Sequence, residues 1–148
     1  MIDHAWTVVC SRAVVDRFTN NVSMQHVIEQ FTIPEGAPPN TLMVSPFQVI
    51  SLWARSDFDI PACGRARLTL LSPSGKIIRE NHWNIDMSSQ YRRYRTRCEF
   101  PGLPADEPGR YVFRVDLQIE GDDDWHQVAA VPLQVTLSPE SAKIEEEE

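Results

Sequence analysis

This chain lacks the motifs that usually carry chemistry. Six glycines in 148 residues leave little material for a loop of backbone amides that cradles phosphate, and no phosphate-binding glycine motif occurs. There is no G-x-S-x-G elbow, no H-E-x-x-H and no C-x-x-C. The familiar routes to an activated serine, a catalytic zinc or a redox dithiol are therefore missing. His4, His26, His82 and His126 are scattered without ligand-type spacing, which argues against a zinc site. Three cysteines, Cys10, Cys63 and Cys98, are an odd number at wide spacing. They make no disulfide framework and read as small buried hydrophobes.

Long apolar runs are absent as well. None approaches the roughly 20 residues that cross a bilayer, and Met1 to Trp6 has neither the basic start nor the apolar stretch of a secretion signal. The expected setting is the cytosol, with no membrane partner, and Asn21-Val22-Ser23 then reads as turn chemistry rather than a glycosylation site. The net charge of −7 disfavours nucleic acid as the main partner. Part of it is local: Glu145 to Glu148 is a like-charge run, expected to be a disordered acidic tail over 139–148. Residues 1–138 are expected to form one domain, a length that suffices for a proper core.

What is present is alternation. Eleven prolines and several turn clusters cut the chain into short pieces, as in an all-β domain. Ala5 to Val15 and Val22 to Ile33 are β-branched runs separated by Asp16 to Asn21, a hairpin sequence. Met24, Val27, Ile28 and Phe31 also fit helical spacing, so the second run is a strand with a helical alternative. Pro34 to Asn40 can hold only a surface loop. Phe47 to Arg55 is apolar on both faces, the pattern of a central strand, and Gly64 to Leu70 is apolar on one. Ser72-Pro73-Ser74-Gly75 has type I turn preferences and returns the chain through Lys76 to Ile85.

In Arg92 to Phe100, alternation puts Tyr94, Thr96, Cys98 and Phe100 on one face and Arg93, Arg95, Arg97 and Glu99, with Tyr91, on the other. Later, Tyr111, Phe113, Val115, Leu117 and Ile119 point inward against Arg114, Asp116, Gln118 and Glu120. A last inward row runs Ala129, Val131, Leu133, Val135 and Leu137. Pro132 lies on its outward set, which marks an edge strand or a bulge. Eight or so strands without a firm helix predict a two-sheet antiparallel β-sandwich.

The run Asp106-Glu107-Pro108-Gly109-Arg110-Tyr111-Val112-Phe113 is similar to the tyrosine corner of immunoglobulin-like sandwiches, where a tyrosine hydroxyl bonds back to nearby backbone. Phe113 stands where antibody domains carry a cysteine, so apolar packing must join the sheets. More broadly, "AWTVVCSRAVVDRFTNNVSMQHVIEQFTI", "LTLLSPSGK" and "PGRYVFRVDLQIEGDDDWHQVAAVPLQVTL" resemble a group of small, uncharacterised bacterial proteins of the domain-of-unknown-function kind. That resemblance spans most of residues 5–137 and implies an immunoglobulin-like β-sandwich and an intracellular bacterial origin. It brings no catalytic residues and no cofactor.

Three constellations remain. Asp57 and Asp59 in one loop and Asp122, Asp123 and Asp124 in another could hold calcium through carboxylate oxygens, if both loops share one end of the fold. The simpler reading is a pair of solvated turns, where aspartate tolerates the backbone geometry. Tyr91, Arg93, Arg95 and Arg97, with Arg92 beside them, could hold an anionic partner. The simpler reading pairs these arginines across strands with Asp116, Glu120 or Glu80, at about 0–1 kcal/mol for each exposed pair. Trp53 and Trp83 read as core and Trp6 as the cover of one end. Trp125, beside the aspartates, could be a half-exposed stacking platform for a carbohydrate. The sequence favours a non-enzymatic binding or assembly module, its partner a protein or a second copy of itself. The second reading is a ligand-binding sandwich that uses its aspartate loops for calcium or a sugar.

Overall fold

The computed structural model describes residues 1–32, 42–43, 46–88, 92–104 and 107–136, with backbone alone at 42–43. The proline-rich loop, Tyr91, Leu137 and the acidic tail of the sequence reading lie outside the described residues. Within them the chain is strand and turn, with no helix. In chain order the strands are β1 (Ile2–Val15), β2 (Val22–Val27), β3 (Gln30–Thr32), β4 (Leu42–Met43), β5 (Phe47–Arg55) and β6 (Ala62–Leu71). There follow β7 (Ile77–Met87), β8 (Arg93–Phe100), β9 (Leu103–Pro104), β10 (Gly109–Ile119) and β11 (His126–Thr136). Four strands form one sheet in the order β2-β1-β5-β8, and five form the other in the order β3-β11-β10-β6-β7. A two-residue pair, β4 with β9, stands apart.

The second apolar run is strand, not helix, but it is broken at Ile28 and Glu29, where the chain leaves one sheet and enters the other. On arrival β3 lies parallel to β11, Gln134 to Thr136 beside Gln30 to Thr32. The expectation of a wholly antiparallel sandwich is corrected there: a strand that changes sheet part-way keeps its direction and meets its new neighbour from the other side. β11 both carries a bulge, opposite Val115 and Asp116, and has, upstream of Gln134, an edge that no described strand pairs. Pro132 sits on that unpaired stretch.

The alternating rows meet as the core. Val9, Phe47, Val49 and Trp53 of the four-stranded sheet form one buried cluster with Leu68, Leu70, Tyr111, Phe113, Val115 and Leu133 of the other. Phe47 stacks flat on Phe100 at 4.9 Å and meets Phe113 edge-on at 6.1 Å, the offset and T-shaped geometries that aromatic quadrupoles favour. No disulfide takes part, since all three cysteines are free. Cys10 and Cys98 are buried as expected, whereas Cys63 is half exposed.

Polar details fix the turns. The Tyr111 hydroxyl donates to the Glu107 carbonyl at 2.7 Å, the bond expected of the tyrosine run. Glu107 in turn accepts from the Ser74 amide at 3.2 Å and hydroxyl at 2.9 Å, tying that corner to the Ser72–Gly75 turn. Gly75 donates back to the Ser72 carbonyl, as the type I assignment requires. In the β6–β10 ladder, Gly64 is needed for approach: a Cβ there would lie 2.7 Å from the Gln118 carbonyl oxygen.

Candidate functional site

The β8 ladder positions the arginine row. Leu52 is in register with Arg95, Ala54 with Arg93 and Ile50 with Arg97, so the three guanidinium side chains share the outer face of the four-stranded sheet. Arg93 and Arg97 are exposed and Arg95 is half buried. The same face runs on through β1, where Trp6 is in register with Leu52 and Val8 with Ile50. The expected cross-strand partners Asp116, Glu120 and Glu80 are on or beside the five-stranded sheet. That expectation is corrected, because sequence distance said nothing about which sheet an acid would join. Among the described residues no carboxylate lies within ion-pair distance of Arg93, Arg95 or Arg97, nor of Arg12, Arg17 or Arg92 nearby in the chain or sheet.

The β1–β2 hairpin completes this surface. Arg95 Nη2 donates to the Asn20 carbonyl at 3.0 Å, although Asn20 is at the hairpin tip. Held straight, a hairpin rising about 3.3 Å per residue would carry its tip roughly 40 Å from Trp6. Instead Thr19 to Val22 line a cleft of about 400 Å³ together with Trp6, Leu52, Arg93 and Arg95. The outer half of the hairpin is therefore folded back over the sheet face. The bend coincides with His26, whose φ of 53° is left-handed, and the Ser11–His26 step is missing from an otherwise regular ladder. Ala13, Val22 and Met24 are half buried along the arm, while Arg12, Val14, Ser23 and Gln25 are exposed. Ile50 and Cys10, outward in register, are inaccessible yet separate from the main core. Both lie on the face over which the arm returns, and burial pushes the Cys10 thiol above its ordinary pKa.

The tip itself is tightly made. Asp16 accepts from the amides of Thr19 and, second, Phe18, which holds its carboxyl below the ordinary range. It leaves Phe18 91% exposed, with the Arg17 guanidinium 5.7 Å from its ring centroid. At the far end of β5, Phe58 is also half exposed, under Arg92 at 4.5 Å.

Both aspartate loops fall at one end of the sandwich, since β5 ends at Arg55 and Gly64 of β6 is in register with Ile119 of β10. Among the described residues no three His, Cys, Asp or Glu side chains gather as a metal would need. Asp57 and Asp122 instead accept from the amides of Asp59 and Asp124, two residues on, at 3.0 and 2.9 Å. That amide first, and His126 second, hold the Asp122 carboxyl below its ordinary range. Buried Arg55 occupies the root of the first loop and donates to the carbonyls of Phe58, Met87 and Ser88. Its permanent charge, bonded between Asp57 and Asp59, repels the ion such a site would bind.

Trp125 is on the opposite sheet from the arginine row, so the two halves of the expected binding surface are not brought together. Arg67 lies 4.4 Å from its ring centroid and Arg65 5.6 Å, with His82 edge-on at 5.6 Å. Beneath them Asp116, expected outward and solvated, is only 3% exposed, accepting from Arg67 at 3.0 Å and Arg114 at 3.3 Å. Trp125 is partly exposed, as expected, and its ring packs against Arg65 and Arg67 of β6.

No family model and no curated protein matches the chain. Two solved structures resemble it at low identity. One comes from work on glycolipid glycan hydrolysis by a family 123 glycoside hydrolase from Clostridium perfringens, at 7% identity and a TM-score of 0.42 over 93% of this chain. The chain spans 28% of that structure's length. Another is the N-terminal domain of PorA, at 9% identity and a TM-score of 0.31, covering 89% of this chain and 97% of that one.

Proposed function

We propose that the protein is a non-enzymatic binding module of the immunoglobulin-like kind, and that its working surface is the arginine face of the four-stranded sheet. Support for the fold reading comes from the five-stranded order β3-β11-β10-β6-β7 with β3 parallel to β11, and from the bond of Tyr111 to Glu107. The resemblance noted over residues 5–137 favours an intracellular bacterial setting. One observation carries the functional reading. A chain of net charge −7 with 14 basic residues gathers six arginines on and around one sheet without a carboxylate partner among the described residues. Exposed arginines without a described carboxylate partner, beside a cleft lined by half-buried Trp6 and Leu52, are favoured ground for a protein partner, because each fork can take a carboxylate bidentately.

The test compares affinity capture from the native host by the unaltered protein, by Arg93→Glu with Arg97→Glu, and by Arg65→Glu with Arg110→Glu as a control with the same charge change. The reading expects a specific protein that is retained by the first and third and lost from the second. Equal capture by all three, or none by the unaltered protein, would overturn it.

A further inference from the structure

The backbone of β8 extends the proposal for the arginine face, on which this inference rests. The Arg55 amide donates to the Arg92 carbonyl at 3.1 Å. The β5–β8 register is unbroken from Ala54–Arg93 to Phe47–Phe100. In an antiparallel ladder, alternate residues turn both backbone groups toward the same neighbour. Arg92, Tyr94, Thr96 and Cys98 therefore turn theirs to β5, and Arg93, Arg95 and Arg97 turn theirs away from it. The Glu99 carbonyl agrees: it accepts from Arg79 Nη1 of the other sheet at 2.9 Å, on the side away from β5. β8 is the last strand of its sheet, and no described strand pairs with that side.

The residues whose backbone groups no described strand pairs are thus the same ones that project guanidinium groups onto the outer face. An extended segment laid antiparallel along β8 would fill the backbone positions. It would set every second side chain about 5 Å from an arginine. Its intervening side chains would fall beside Tyr94, Thr96 and Cys98, half buried to buried, where charge is disfavoured. The Glu99 end is closed by Arg79, so the open stretch is short. Arginines on an edge can also serve to repel other strands. Three of one sign, unpaired among the described residues and beside the cleft at Trp6 and Leu52, fit attraction of an opposite charge as well as repulsion of a like one.

We propose that β8 is a docking edge for an acidic protein segment in extended conformation, with carboxylates at alternate positions and small or apolar residues between them. The probe is a fluorescent peptide, Glu-Val-Glu-Val-Glu-Val, set against its block isomer Glu-Glu-Glu-Val-Val-Val and an oligothymidylate. The alternating peptide should bind at least about tenfold more tightly than its isomer and slow hydrogen exchange at the amides of Arg93, Arg95 and Arg97. Arg97→Pro, which deletes an outward amide without touching the β5 ladder, should weaken binding more than Arg97→Ala. The exchange measurement stands even where that variant folds poorly.

Equal binding of the two isomers without amide protection would overturn strand addition while leaving the arginine face as the binding surface. Failure of the native protein to bind any peptide would overturn it too, marking the arginines as edge guards. Tighter binding of the oligothymidylate than of the alternating peptide would overturn the acidic-protein class and the functional proposal together.

Discussion

Tyr111 shows what one residue does in this fold. Its ring is buried to 1% and its hydroxyl spans the corner to the Glu107 carbonyl, while Glu107 holds the Ser74 turn through its carboxylate. Tyr111→Phe keeps the ring and deletes the donor, so urea unfolding should show a loss of about 1 kcal/mol, the usual net worth of one such bond. No change would mean that the corner is held by packing alone. This role was legible beforehand because the tyrosine follows Pro108 and Gly109 at the start of an alternating strand. Arg55 was not. Nothing in Phe47 to Arg55 distinguishes its last residue from a solvated strand end, yet it is 2% exposed and bonded to three carbonyls. Its role comes from Phe58, Met87 and Ser88, which only folding brings to it.

At the level of elements, period-two alternation located nearly every strand, because one buried face imposes the same spacing wherever two sheets share a core. Lateral neighbours were beyond its reach. The arginine row was found, but the acids assigned to it belong to the other sheet. The hairpin was found, but not its return over the sheet face, which follows from a left-handed residue at His26 and from the apolar floor of Ile50 and Cys10. The signal available was Ala13, Val22 and Met24 alternating with exposed partners, a half-buried pattern in an arm that should otherwise stand in water. Gly64 was likewise silent. Gly64→Ala would push a methyl against the Gln118 carbonyl at 2.7 Å and the Ile2 side chain at 3.1 Å. The carbonyl is in the β6–β10 ladder, and backbone cannot step aside cheaply. We expect destabilisation of about 1–3 kcal/mol, as in other overpacked sites, read from the denaturation midpoint. A variant as stable as the native chain would show that β6 and β10 can slide apart at that end.

Across the whole molecule, charge is sorted by sheet and by end. Aspartate loops share one end with a buried guanidinium at the root of the first, and arginines without an acidic partner among the described residues gather on and around the four-stranded face. Calcium should therefore leave the melting temperature unchanged at millimolar concentration. A site with a hundredfold lower dissociation constant would add about 2.7 kcal/mol, an upward shift that differential scanning fluorimetry would register and that would reinstate the aspartate loops as a binding site. The sequence alone determined the strand-rich character, the inward rows, the turns at Asp16 and Ser72 and the tyrosine corner, because each depends on spacing along a few residues. Tertiary structure alone decided which charges meet and which are left without a partner, how the hairpin folds back, and which backbone edge stays open. Those depend on sheet order, and sheet order is fixed by contacts between residues far apart in the chain.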